Sequence, residues 1–454
     1  MATAKSGMWA QASRLAEQTP EARNRYVDLL RALSIGAVVL GHWVMAAPHL
    51  GVGGPRLDHL LDVLPWSRWL TWGFQVMPIF FFVGGYSNGT SWDSALEKEQ
   101  PYAVWLEARL RRLLGPVVPL IVLWGGLGIL GFWLGISEGM IRIGSQVALV
   151  PVWFLAIYLL IVMLVPITRS IWRRLGLWSV LLPALLAAGN DFLFFRGEAV
   201  LGSDLRLLGW LNYLLIWSAV HQLGYAWQAG RLAGRRTFVL FALGASALVA
   251  LTQFGPYPTS LVGVPSQEIS NTTPPKLPLF ALGLAQIGLF LSLEGPIRKW
   301  LARKAVWTSV VLVNGMIMTV FLWHSTVMML VVGAGFWLVP SVFDIVPGVA
   351  AWWAWRPIWV LGFALATFPF LLVFTEVERR ISAGAGRKMA LARLLGGAAL
   401  LCGGLALLAA GGVGGDGPLG LNWLAVLMPV VGGKLAGFGP LAFLGRDDRD
   451  VASG

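Results

Sequence analysis

The chain has 454 residues, 57% of them hydrophobic and 12% charged, with a formal net charge of +12. Soluble domains carry about 25% charged residues, so this composition excludes a soluble globular protein. It points to an all-α, polytopic helical bundle in a membrane. In a soluble chain the positive charge would suggest nucleic acid. In a membrane chain cationic loops orient the helices, and no nucleic-acid partner is expected. The single cysteine, Cys402, excludes an intrachain disulfide.

Residues 1–25 contain charges but no apolar core of signal-peptide length, and read as a cytoplasmic tail. A span needs about 20 mostly apolar residues. Candidates lie near 26–47, 69–91, 114–136, 150–168, 177–195, 208–229, 237–254, 278–293, 308–333, 354–375 and 392–412, which makes eleven. With the N-terminus inside, the inner segments hold 23 Lys and Arg against 7 in the outer loops. That bias sets the orientation. The segment 420–444 carries Lys434 and several glycines, and reads either as a twelfth span or as a surface or re-entrant stretch. The organisation expected is a tail (1–25), a membrane core (26–380) and an additional C-terminal span with its tail (381–454). The outer loops are short, so the function belongs to the plasma membrane itself.

The first span, RYVDLLRALSIGAVVLGHW, contains Arg31 and His42 eleven residues apart. At 100° per residue they share a helix face, about 16 Å apart along the axis. Asp28, one turn before Arg31, can pair with it. Arg31 reads either as a snorkelling cation held by Asp28 or as a ligand-binding group. His42 reads either as bonded to a helix carbonyl or as facing a cavity. His49 and His59 follow in an outer loop and read as solvated. The glycine-rich GGYSNGTSW, 84–92, permits close approach, of a helix more readily than of a ligand. In VWLEARLRRLLGP, Arg109 and Arg112 share a face, either as positive-inside charge or as a phosphate clamp; Arg111 points elsewhere. No Walker loop or dinucleotide fingerprint is present. His221 lies in the inner half of its span, as a structural or tunnel-lining group. His324, in MTVFLWHST, sits at a depth similar to that of His42, which suggests a shared polar pocket. An imidazole suits general acid–base work near neutral pH. A third ligand at that depth is missing, so no metal is expected.

These motifs together resemble the membrane-bound acyltransferase family 3. The carrying residues are Arg31-x10-His42 with its VDLLR lead-in (27–31), FFFVGGYSN (80–88), Arg109 and Arg112 ahead of Pro116, WFL (153–155) and FLWH (321–324). The resemblance covers about residues 22–380, a ten-helix core, and leaves the last span outside. Three departures are Gly85 where serine is common, Pro116 one position late, and Phe321 for a tyrosine. What the resemblance implies is transfer of an acyl group, commonly acetyl, from cytoplasmic acyl-CoA (acetyl-CoA) to a hydroxyl of an extracytoplasmic glycan or glycolipid. Arg31, Arg109 and Arg112 would then hold the CoA phosphates, and His42 would act as general base. His324 would orient the reaction or bind the oxyanion, and Trp153 would line the acceptor mouth. A direct attack and an acyl-histidine relay both remain open. So do two other functions: a transporter or flippase of a lipid-linked sugar, and an inactive scaffold.

Overall fold

The protein is described as a computed structural model, over residues 7–382 and 389–438. α1 (Met8–Glu17) is a short surface helix that buries Ala12 and Ala16. α2 (Arg25–Met45) begins where the Asn24 side chain accepts the Tyr26 N–H. It ends ahead of Pro48, which cannot continue a helix interior. The chain then folds back as an antiparallel hairpin, β1 (Ala46–Gly51) and β2 (Gly54–His59), with Ala46 opposite His59. Single turns α3 (Leu60–Val63) and α4 (Thr71–Phe74) lead into α5 (Met77–Glu97).

Prolines set the next breaks, because each lacks an N–H for the helical ladder. Pro116 separates α6 (Tyr102–Leu114) from α7 (Val117–Trp133), which bend by 41°. Pro151 separates α8 (Glu138–Leu149) from α9 (Val152–Met163), bent by 50°. Then come α10 (Val165–Leu175), α11 (Trp178–Leu201), α12 (Asn212–Gln228) and α13 (Arg235–Phe254). α14 (Leu277–Ser292) and α15 (Glu294–Leu301) bend by 55° at Leu293. Last come α16 (Lys304–Leu338), α17 (Ala350–Ser382), α18 (Leu391–Gly411) and α19 (Trp423–Leu435).

Six of these helices are long and apolar enough to cross a bilayer, namely α2, α11, α13, α16, α17 and α18, and the three bent pairs raise this to nine among the described residues. The chain is therefore a multi-pass membrane protein. Two segments read from sequence as spans fall outside this set. α12 has 17 residues, and the second half of α5, GYSNGTSWDS, is polar. α19, at 13 residues, rises about 20 Å, short of a hydrocarbon core of about 30 Å. As far as 420–444 is described, it gives a half-span; 439–444 lie outside the described residues.

The helices form two compact units. The first comprises residues 1–94, 164–317 and 344–354. Its core stacks Phe81 on Trp217 at 4.5 Å and Phe82 on Trp227 at 5.1 Å; each such pair adds about 1 kcal/mol beyond its burial. α5 meets α12 at Gly85 and Gly224, where a Cβ on either would collide with the other helix's backbone. Gly85 of GGYSN is thus a packing contact. The second unit comprises residues 95–163, 318–343 and 355–454. Trp323 stacks on Phe374 at 3.8 Å, and Trp124 Nε1 donates to Thr326 Oγ1 at 3.0 Å. The C-terminal helices belong to this unit: Cys402 Sγ donates to the Ala156 carbonyl at 3.4 Å, and Ser145 Oγ accepts from Val413 N at 2.9 Å.

Candidate active site

In the first unit, the N-terminal end of α2 carries an ionic network. Asp28 is only 4% exposed. It accepts from Arg31 Nη1 at 3.0 Å, and from Arg23 Nε at 2.7 Å and Nη2 at 3.2 Å. Arg31 Nη2 also donates to Ser87 Oγ on α5 at 3.0 Å, and Asn314 Nδ2 donates to the Asp28 carbonyl at 3.0 Å. One buried carboxylate thus faces two guanidiniums, and the Asp28 hydrogen bond raises the Arg23 pKa. The i, i+3 pairing expected of Asp28 and Arg31 is present. Ser87 and Asn314 extend it, from positions that no local pattern points to.

The other end of α2 gathers imidazoles. His42 lies in the last turn, where its carbonyl accepts from Ala46 N. Because the hairpin sets His59 opposite Ala46, His59 returns to that end and comes within electrostatic reach of His42. Burial holds the His59 imidazole below its ordinary pKa, with Asp62 opposing. Its Nδ1 is buried and has no hydrogen-bond partner among the described residues. His49 faces Asp58 at 3.7 Å and its side chain is 15% exposed. Neither loop histidine is therefore a solvated group, as the sequence suggested. Only the hairpin register brings His59 back, and a sequence cannot state that register without knowing that the loop is a hairpin.

Two other polar clusters of this unit are structural. His221 is fully buried, with Nε2 at 3.1 Å from Asn88 Nδ2, so the amide donates and the ring accepts there. Asp93 is gripped by Arg169, by Arg173 Nη2 at 2.8 Å and by Gln228 Nε2 at 3.1 Å.

In the second unit, His324 is fully buried and makes two contacts within its own helix. Nδ1 lies 2.8 Å from the Phe321 carbonyl, and Ser325 Oγ lies 3.0 Å from Nε2. A carbonyl only accepts, so Nδ1 carries a proton there. Trp153 is half-buried at the start of α9, edge-on to Phe154 at 6.3 Å, and Phe154 meets Phe321 edge-on at 5.7 Å. Arg109 lies over the Trp105 ring at 5.6 Å, and Arg112 is exposed. Arg111 turns inward to a buried pair with Glu107, Nε to Oε1 2.8 Å. Sequence reading passed over Glu378: its Oε2 accepts from Thr319 Oγ1 at 2.7 Å, within electrostatic reach of Arg112. It lines a cavity of about 10 Å³, room for about one water, together with Pro116, Pro119, Thr319 and Trp323.

The ordered motifs, Arg31 and His42 on one face of α2, FFFVGGYSN on α5, the α6 arginines and the α16 histidine, are matched as one set. The family model for the acyltransferase domain, acyltransferase 3, matches residues 24–375. The chain belongs to the acyltransferase 3 family. This membrane acyltransferase carries Asp28, Arg31, His42, Arg109, Arg112, Trp153 and His324 within the matched region. α1, α18 and α19 lie outside it, as does Glu378 by three residues. No curated protein and no solved structure matches the chain.

Proposed function

We propose that this acyltransferase moves an acyl group, acetyl in the simplest case, from acyl-CoA on the cytoplasmic side to a hydroxyl of an extracytoplasmic carbohydrate or glycolipid. The full reading includes eleven spans with the N-terminus inside, in the plasma membrane. The observation that supports it best is α2. One end holds Arg31 in an ionic network with Asp28 and Arg23, and the other end, about 16 Å away on the same face, holds His42 where the hairpin returns a second imidazole. Such a helix suits a donor that is anionic at one end and reactive at the other.

In this reading Arg31, Arg109 and Arg112 bind the CoA phosphates by charge-assisted hydrogen bonds. His42 takes the proton of the acceptor hydroxyl as its oxygen attacks the thioester carbonyl. The tetrahedral intermediate expels the CoA thiolate, which receives that proton from His42. The C–S bond breaks, the ester C–O bond forms, and His42 returns neutral. Trp153 contributes to acceptor binding. His324 orients the reaction, with its Nδ1 proton directed at the Phe321 carbonyl.

The test is acetyl transfer by the purified protein in nanodiscs, wild type beside His42→Ala, with label followed on the protein and on an envelope glycolipid extract. Label reaching the extract with the wild type alone supports the proposal. Label trapped on the wild-type protein replaces direct attack by an acyl-histidine relay. A folded wild type that neither binds acyl-CoA nor transfers overturns it.

A further inference from the structure

Between α13 and α14 the loop 255–276 forms an open cavity of about 430 Å³, lined by Pro256, Tyr257, Pro258, Gln267, Glu268 and Ile269. Its frame is rigid. Tyr257 donates its hydroxyl to the buried Asp191 at 3.1 Å and meets Phe195 edge-on at 5.2 Å. Asn271 Nδ2 donates to the carbonyls of Pro258 at 2.7 Å and Ser260 at 2.8 Å. Asp191 is held in turn by Asn212 Nδ2 at 2.9 Å and Leu277 N at 2.8 Å. Asp191 thus anchors this loop.

The loop is also fastened to the segment that carries His59. Trp72 Nε1 donates to the Thr259 carbonyl at 2.9 Å, and Gln75 Nε2 to the Leu261 carbonyl at 3.0 Å. Ser266 donates to Asp62 through both its N–H and its hydroxyl. Asp62 acts electrostatically on His59, and His59 on His42. A continuous cap of one unit thus runs from His42 to Gln267 and Glu268.

The wall chemistry narrows the occupant. Gln267 makes no side-chain hydrogen bond among the described residues, and the Glu268 side chain is 87% exposed, with Arg206 at 3.9 Å. A phosphate-bearing ligand would meet a carboxylate here. A planar amide and a carboxylate side by side suit adjacent hydroxyls, while the tyrosine ring and two proline faces suit the C–H face of a sugar. We propose that this groove binds neutral carbohydrate, and that it docks the acceptor chain whose hydroxyl is acylated beside His42. The second clause rests on the proposed function; the first does not.

The experiment uses the full-length protein in nanodiscs and the double variant Gln267→Ala/Glu268→Gln, whose positions lie on the rim of the groove. The probe is a tritium-labelled pool of neutral oligosaccharides released by mild acid from the envelope of the source cells. Wild type should retain the pool, and the variant should retain it about tenfold less well, the size expected for two lost hydrogen bonds. The variant's half-saturating acetyl-CoA concentration should not move. Retention without any acetyl transfer supports the groove while the proposed chemistry falls. Equal retention by wild type and variant, or none by wild type, overturns the groove even if acetyl transfer proceeds.

Discussion

At the N-terminal end of α2 a buried carboxylate holds two guanidiniums, a hydroxyl partner stands on α5, and the whole is fixed by Asn314. At the C-terminal end the same helix meets a hairpin that returns an imidazole, and the nearest carboxylate influence on His59 is Asp62. One end is built from ion pairs. The other is arranged around groups that work by being neutral. A helix that carries both offers one rigid ruler between an anion site and a base, because its backbone hydrogen bonds fix the spacing.

The largest effect expected is at the second end. His42→Ala should lower transfer by about 10²–10⁴-fold, the usual worth of a general base, with an unchanged thermal midpoint. Transfer that survives within threefold would mean the imidazole end is only packing. At the first end, Asp28→Asn should cost about 3 kcal/mol, because two arginines lose a buried counter-charge. It should also raise the half-saturating acetyl-CoA concentration by releasing Arg31. If neither thermal midpoint nor donor requirement moves, the network is snorkelled surface charge and the comparison collapses.

How much of this was legible depends on the distance over which each relation acts. Arg31, Asp28 and His42 are related by helical spacing, so sequence alone put them on one face and paired two of them. Ser87 and Asn314 join by tertiary packing, which periodicity does not encode. His59 reads as solvated because it follows in an outer loop, while its return to the His42 end of α2 depends on strand register. The spans were readable where apolar runs were unbroken, as in α13 and α18. They were less so where Pro116 and Pro151 bent them, or where α5 turned polar. His324 matched His42 in depth along its span, but depth says nothing of bonding, and its two nitrogens are engaged by Phe321 and Ser325.

That contrast between histidines gives a smaller, sharper test. His324→Ala should remove about 2 kcal/mol of stability, from a cavity and two buried hydrogen bonds. Activity should recover on cooling, where the folded fraction is restored. His324→Ala that lowers kcat as deeply as His42→Ala at an unchanged thermal midpoint would move the second unit's imidazole from support into the chemistry.

The smallest effect concerns His59, and its sign follows from linkage. Burial holds its pKa below the usual value of about 6.5. Near and below that value the unfolded chain binds a proton that the folded chain refuses, so stability rises with pH there. Above about pH 7 both states are neutral and the contribution vanishes. Lowering the pH from 7 toward the folded pKa should therefore cost stability, with the loss levelling off once the folded imidazole protonates. His59→Gln removes the titrating group and keeps a polar side chain. The difference between the two thermal midpoints, wild type against variant, should then widen in the wild type's disfavour as pH falls from 7 to 5. A difference that stays constant over that range would mean His59 protonates as freely folded as unfolded. The cap around His42 would then tolerate positive charge as well as the opposite end of α2 does, and the electrostatic contrast between the two ends would be lost.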